Sequence, residues 1–292
     1  MRYKIKLELI DKNNIRISGT IDNHATDHRV RLVFTGQAPH TYSLEGTQYS
    51  YIKRESAPAA LKTWKADGGF EEHSPTWPLL NYVSVEDDEV MTDMTKSSKE
   101  YELIDEGNKD IAVVLFRSYG AMGYPDLHRR PGRPSGLDYM IFQTPKCQML
   151  KENSFDLALT WYESYDGNRI CQDYIQYACP QLCFEGQHFD KSVHPISYFP
   201  TNPPEQRLPD SWSFLNMDEL QGCFGSLVKE KDYWLLRLYN NEIEPVSCGI
   251  IHSDEALVYT LTTLDHTIHK PLSNELEPLR KGELRMIQIE RT

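Results

Sequence analysis

The chain has 292 residues, a formal net charge of −12 and 11% aromatic residues, including 17 tyrosines. So acidic a chain is a poor partner for nucleic acid or an anionic membrane, and no apolar run in it approaches the length of a transmembrane span. The opening Met-Arg-Tyr-Lys-Ile-Lys lacks the apolar core of a signal peptide. The six cysteines (Cys147, Cys171, Cys179, Cys183, Cys223, Cys248) are too few and too irregular for a disulfide framework, so free thiols in a reducing cytoplasm are expected.

From the N-terminus, Tyr3, Ile5, Leu7 and Leu9 alternate with charged residues, and after Asp11-Lys12-Asn13-Asn14 the alternation resumes at Ile15 and Ile17, which predicts a hairpin. Val30, Leu32 and Phe34 predict a third strand. Tyr49 to Lys53 and Leu80 to Val85 predict more strands, with nothing of helical period in this half. Glu86-Asp87-Asp88-Glu89 reads as a solvated turn, because adjacent carboxylates at a strand end point to opposite sides and cannot converge as an acid–base pair. Glu100 to Ile104 follows, and then the continuously apolar Ile111 to Phe116, which fits a fully buried strand.

That strand delivers Arg117 to Gly136, which holds four arginines, four glycines and three prolines in twenty residues. Proline removes backbone donors and glycine costs backbone entropy, so this stretch is neither a helix nor an interior strand but a long basic loop. Composition fits a solvated surface loop and a binding loop alike. Beyond it, Phe155, Leu157, Leu159 and Trp161 alternate as a half-buried strand. Ile170, Tyr174, Ile175 and Ala178 predict one short helix after Asp166-Gly167-Asn168, stopped by Pro180. Residues 199–210 carry Pro200, Pro203, Pro204 and Pro209 and read as a linker. Phe224 to Val228, Tyr233 to Tyr239, Leu257 to Thr262 and Leu284 to Ile289 predict the strands of a second unit, with Glu230-Lys231-Asp232 as a tight turn. The expected fold is all-β with very little helix: a large antiparallel β-sandwich over residues 1–198 followed by a smaller β-sandwich unit over 211–292.

Internal motifs do not identify an enzyme. His24 and His28 have the spacing of a helical zinc pair but lack the glutamate that follows the first histidine in metalloproteases. His188-Phe189-Asp190 and His252-Ser253-Asp254 repeat a pattern too common to assign a metal, and Cys179 with Cys183 has no second pair. There is no nucleophile elbow and no phosphate loop.

The order of segments nevertheless resembles the C-terminal β region of glycoside hydrolase family 38 α-mannosidases of the bacterial type. The pieces are Asn23 to Phe34, Leu115 to Gly120 leading through Asp126 to Arg130-Pro131-Gly132, Thr144 to Gln148, Leu236 to Asn240, and Gly282 to Ile287. The resemblance implies a retaining, zinc-dependent glycosidase acting on α-mannosides, whose zinc and catalytic carboxylates lie in an N-terminal catalytic domain opened by a His-x-Asp-x-x-Trp motif absent here. No catalytic or metal residue is then expected in this chain, and the catalytic domain is its expected partner, with a homo-oligomer left open. It further implies that the basic loop lines the substrate rim: Arg130 binds sugar hydroxyls with Asp126 orienting it, Arg129 and Arg133 stand beside it, and Tyr119 offers a sugar-facing ring. Two rival readings are a stand-alone carbohydrate-binding module, for which Trp64 and Trp77 are candidate platforms, and a purely structural scaffold, which an exposed apolar patch would favour.

Overall fold

The computed structural model describes residues 1–132, 140–179, 181–182, 209–265, 267 and 269–292. In chain order the first part contains β1 (Arg2–Asp11), β2 (Asn14–Asp22), β3 (His28–Phe34), β4 (Tyr42–Thr47), β5 (Ser50–Glu55), a one-turn helix α1 (Ala60–Thr63), β6 (Trp77–Pro78), β7 (Tyr82–Glu86), β8 (Val90–Thr95), β9 (Glu100–Ile104), β10 (Asp110–Ser118), β11 (Ala121–Met122), β12 (Phe142–Gln143), β13 (Glu152–Tyr162) and helix α2 (Gly167–Ala178). The second contains β14 (Asn216–Asp218), β15 (Cys223–Lys229), β16 (Trp234–Tyr239), β17 (Ile250–His252), β18 (Leu257–Thr262), β19 (His269–Leu272) and β20 (Leu284–Arg291). The all-β expectation holds. Residues 199–208 of the expected linker, like Cys183 and His188 to Asp190, lie outside the described residues.

The first part is a sandwich. A seven-stranded antiparallel sheet in the order β1-β2-β13-β8-β7-β4-β5 faces a four-stranded sheet in the order β3-β10-β9-β6. Their inner faces share one core, with Ile17, Ile21, Val83, Phe155 and Leu157 from the larger sheet and Phe34, Tyr101, Ile111, Val113 and Phe116 from the smaller. Alternation put these residues on one side of each strand, and burial of that side drives the stacking. The apolar run 111–116 is buried as expected except at Leu115, which is half-buried. Two features depart from the sequence reading. The region before residue 80 contains α1, a single turn with no buried residue. And β4 and β8, which carry buried Ser43, Glu45, Thr92 and Asp93, are strands that polar residues hide from a hydrophobic pattern.

The smaller sheet does not reach across the whole of the larger one. Tyr3, Leu7 and Leu9 of β1 lie opposite Ile21, Ile17 and Ile15 of β2, so they continue the core-facing side. Yet Tyr3, Ile5, Leu7 and Leu9 are 71, 47, 68 and 70% exposed. Among the described residues, the first strand therefore presents an apolar stripe without a covering layer.

On the other face of the seven-stranded sheet, Tyr82, Met94, Ala158 and Tyr162 pack against Ile170 of α2. The helix starts where the sequence predicted, with the Asp166 carboxylate accepting the Arg169 N–H at 2.9 Å as its cap. An adjoining face of the helix meets Cys223 and Tyr239 of the second part through Cys171. That part is a five-stranded antiparallel sheet, β15-β16-β20-β18-β19, with the β14–β17 pair beside it, around Leu236, Leu238, Ile251, Leu279, Ile287 and Ile289. The joint between the parts is polar and buried. Asn168 Nδ2 donates to Asn240 Oδ1 (3.0 Å), the Asn241 N–H donates to Asn168 Oδ1 (2.7 Å), and Asn241 Nδ2 donates to the Gly167 carbonyl (2.9 Å) and to the Tyr82 hydroxyl (3.1 Å). The Glu242 carboxylate accepts the Gly167 N–H at the start of α2, although burial raises its carboxyl above the usual range.

Packing is close enough that a single methyl matters. A Cβ on Gly46 would lie 2.3 Å from the Tyr82 ring, so Gly46→Ala is expected to cost about 1–3 kcal/mol, measured as a lower urea midpoint with an unchanged slope.

Candidate functional site

The site is built at the end of the smaller sheet where β3 begins and β10 finishes. β10 carries a bulge: Val114 pairs with Arg31 and Phe116 with Val30, leaving Leu115 extra, so that Arg117 then pairs with Arg29 and Ser118 with His28. A bulge of this kind re-aims the side chains beyond it. It sets two arginines directly opposite one another, a repulsive pairing. Strand β9 relieves it. Glu102 accepts from Arg29 at 3.1 Å and from Arg31 at 3.0 Å, Thr76 takes a further Arg29 contact at 3.2 Å, and Glu100 lies 2.6 Å from Arg117.

Beyond β10 the loop is closed upon itself. Asp126 and Gly132 are both in the left-handed region, at φ 53° and 85°. The Asp126 N–H donates to the Gly132 carbonyl at 2.9 Å, and the Gly132 N–H donates back to the Asp126 carboxylate at 2.8 Å. Within this ring the Arg130 N–H donates to the Leu127 carbonyl at 2.9 Å. The ring is tethered to the segment before β6, where the Glu72 N–H donates to the Arg129 carbonyl at 2.7 Å and the guanidinium groups of Arg129 and Arg130 stand 3.8 and 3.7 Å from Glu72 and Glu71.

Loop and sheet end enclose a cleft of about 700 Å³ whose walls include Asp27, His28, Arg29, Arg117, Tyr119 and Arg129. Of the residues singled out in the sequence, Tyr119 and Arg129 lie on this cleft, while Arg130 and Asp126 belong to the loop behind it. The expected pairing of Asp126 with Arg130 is not found: Asp126 spends its carboxylate closing the ring on Gly132, and Arg130 turns to Glu71 and the Tyr124 carbonyl. Arg133 lies outside the described residues. The Tyr119 hydroxyl is engaged with the Cys147 thiol, which raises its pKa, and its ring is 39% exposed. Trp77 is no open platform, since Arg54 lies 4.8 Å above its ring and His73 meets it edge-on at 4.9 Å.

Two cleft residues carry no substrate role in the sequence reading, where His28 is weighed only with His24 as a zinc pair. His28 packs edge-on to Phe116, 5.8 Å between ring centres, and both of its ring nitrogens are buried without a hydrogen-bond partner among the described residues. Asp27, at φ 54°, is held by a network drawn from distant parts of the chain. Its Oδ1 accepts from Gln148 Nε2 and from the Gly120 N–H, both at 2.8 Å, and its own N–H donates to Gln148 Oε1 at 2.9 Å. Gln148 is buried and also accepts from the Ser118 hydroxyl at 2.8 Å. These bonds, that from Gln148 foremost and then that from Gly120, hold the Asp27 carboxyl below the usual carboxylate range. The approach is so close that a Cβ on Gly120 would fall 2.3 Å from Gln148 Nε2. A sequence signal exists only as the adjacency of Asp27 to the β3 strand. The partners, 93 and 121 residues away, leave no local trace.

Among the described residues no three His, Cys, Asp or Glu side chains gather as metal ligands, and no helix is long and apolar enough to cross a membrane. His252, one of the His-x-Asp pair, is 3.2 Å from Asp218.

Fold and site together define an all-β sandwich that offers a loop-built polar cleft. Over 95% of its length this fold matches an α-mannosidase from Enterococcus faecalis V583, with a TM-score of 0.67 and 20% identity, and it covers 27% of that chain. A second structure, of a glycosyl hydrolase family 38 protein from Enterococcus faecalis, matches with a TM-score of 0.66 at 20% identity, over 95% of this chain and 28% of that one. In sequence, a protein named as a mannosylglycerate hydrolase from Halalkalibacterium halodurans is 27% identical over 160 residues, which is 54% of this chain and 15% of that protein. No protein-family model matches the chain. The chain thus spans only about a quarter of the solved enzymes it matches and less of the curated relative. The likeness read from the sequence is borne out in the fold, over a part of those chains only.

Proposed function

We propose that this chain is the non-catalytic C-terminal β region of a retaining, cytoplasmic α-mannosidase, completing the rim of the sugar site and packing on a zinc-dependent catalytic domain. The observation that carries the reading is the loop-built cleft at the end of β3 and β10, set in a fold shared over 95% of the chain with an α-mannosidase. Two carboxylates close together would give retention, and they belong to the catalytic domain, as does the zinc. In the cleft, Arg129 and Tyr119 meet the substrate, and Arg130 and Asp126 shape the loop that presents them.

The uncovered stripe of β1 supports the packing half of this reading. Apolar side chains left largely exposed on one strand forgo part of the roughly 1.5–3 kcal/mol that full burial of each gives, and a docked layer recovers it. The test is hydrolysis of a chromogenic α-mannoside with added zinc, by this chain and by the full-length product of its gene. Cleavage by the full-length protein only is expected. Metal-dependent cleavage by the chain alone would refute the non-catalytic assignment, and binding of mannosides without cleavage by either protein would establish a carbohydrate-binding module in its place.

A further inference from the structure

We infer that Asp27 is the hydroxyl-binding carboxylate of a sugar subsite in the cleft, accepting hydrogen bonds from neighbouring hydroxyls of a neutral pyranose, with Tyr119 and Arg129 as its companions. The inference rests on the glycoside reading above and names the kind of ligand that the cleft takes.

Three observations lead to it. Both strong bonds to the Asp27 carboxylate fall on Oδ1, the Thr26 hydroxyl adds a further bond to the carboxylate, and Oδ2 keeps acceptor capacity on a residue of the cleft wall. A fixed carboxylate oxygen beside open space is suited to sugar hydroxyls, because bonds to a charged acceptor are stronger than neutral ones and the ordering cost is already met by the protein. Next, the network is more elaborate than a loop cap requires. A buried Gln148 side chain bonds Asp27 from both sides, and a Cβ on Gly120 would press on the Gln148 amide. An asparagine would close the same turn with the same Oδ1, so the negative charge itself calls for a role. Finally, that charge is not spent on an ion pair. Glu102 is shared by Arg29 and Arg31, Glu100 meets Arg117, and no Lys or Arg pairs with Asp27 among the described residues. With Glu100, Glu102 and the ionised Asp27 set against Arg29, Arg31 and Arg117, the charges at this end of the sheet balance, and the cleft holds no surplus of positive charge for an anion. A polyhydroxylated neutral ring is the ligand it fits.

The test is a titration of the isotopically labelled chain with methyl α-mannoside and, in parallel, with mannosylglycerate, following the Gly120 and Tyr119 amides by NMR, with Asp27→Asn alongside. Saturable shifts with methyl α-mannoside in the millimolar range are expected. Asp27→Asn should weaken that binding about tenfold or more at an unchanged melting temperature, since asparagine keeps the Oδ1 acceptor. Amides that stay still in the wild type overturn the inference without any need of the variant. So does wild-type affinity in Asp27→Asn, or tighter binding of mannosylglycerate than of the neutral glycoside. Activity of the full-length protein separates the two claims: an active enzyme with no binding in this cleft sinks the subsite alone, and an inactive one with intact cleft binding sinks the α-mannosidase reading alone.

Discussion

Asp93→Val is expected to stabilise the protein by about 1–3 kcal/mol at neutral pH, the cost of keeping an unpartnered polar group out of water. Asp93 lies on β8 with Val83 and Leu159 as its cross-strand neighbours, so its side chain enters the interior of the sandwich. The residue is fully buried, and neither carboxylate oxygen has a hydrogen-bond partner among the described residues. Burial raises its carboxyl well above the usual carboxylate value of 3.8. The native protein therefore holds this proton more tightly than the unfolded chain does. Raising the pH from about 4 favours the unfolded state, which releases the proton first, so this contribution to stability is full in acid and is lost as the pH climbs towards the raised native pKa. Asp93→Asn separates the two parts of the cost. It leaves an unpaired amide in the core but has no proton to lose, so its pH–stability curve should lack the decline of the wild type. Urea midpoints of the three proteins across pH 4 to 8 make the comparison, and parallel curves for wild type and Asp93→Asn would rule the account out.

The second large effect is expected at the joint between the sheets. Asn168 is 3% exposed and serves Asn240, the Asn241 N–H and the Cys223 thiol at once, the last at 3.2 Å. Asn168→Ala strands the buried Asn241 N–H and removes one of the two bonds to Asn240 Oδ1, which also accepts the Glu242 N–H at 2.9 Å. A loss of about 2–4 kcal/mol follows from unsatisfied buried groups and a small cavity. Because the same side chain couples α2 to the C-terminal sheet, calorimetry should show one transition in the wild type and a separate, earlier unfolding of residues 216–291 in the variant. A single sharp transition shifted by less than a degree would show that the joint does not depend on this residue.

Much of the fold was legible because burial imposes a period on the sequence. The β1–β2 hairpin, the apolar β10, the alternating β13 and the Asp166-capped α2 all declare themselves by side-chain spacing, as do β15, β16, β18 and β20. What the spacing hides are strands whose inward positions are polar. In β8, Asp93 and Thr95 break the pattern, and in β4 the buried Ser43 and Glu45 are satisfied by the Tyr101 hydroxyl and by Arg54, partners that only folding supplies. The site divides in the same way. A basic loop after a buried strand could be read from proline, glycine and arginine content, but the pairing of Asp126 with Arg130 is carried over from the family resemblance, and the chain closes Asp126 on a backbone N–H instead. Asp27 is fixed by Gly120 and Gln148, and a hydrogen bond across a hundred residues has no periodicity to betray it.

The bare first strand also governs how this chain behaves in a tube. Among the described residues β1 is an edge with unpaired backbone groups and a row of oily side chains, the combination that templates sheet growth between molecules. Two copies laid antiparallel about Leu7 would set Ile5 against Leu9 on one side and Lys6 against Glu8 on the other, a register with no charge clash in it. The lysines at positions 4 and 6, gatekeepers along an isolated edge, are thus only half a defence. Colloidal stability on concentration is therefore set less by the overall charge of −12 than by ten residues at one margin of the sheet.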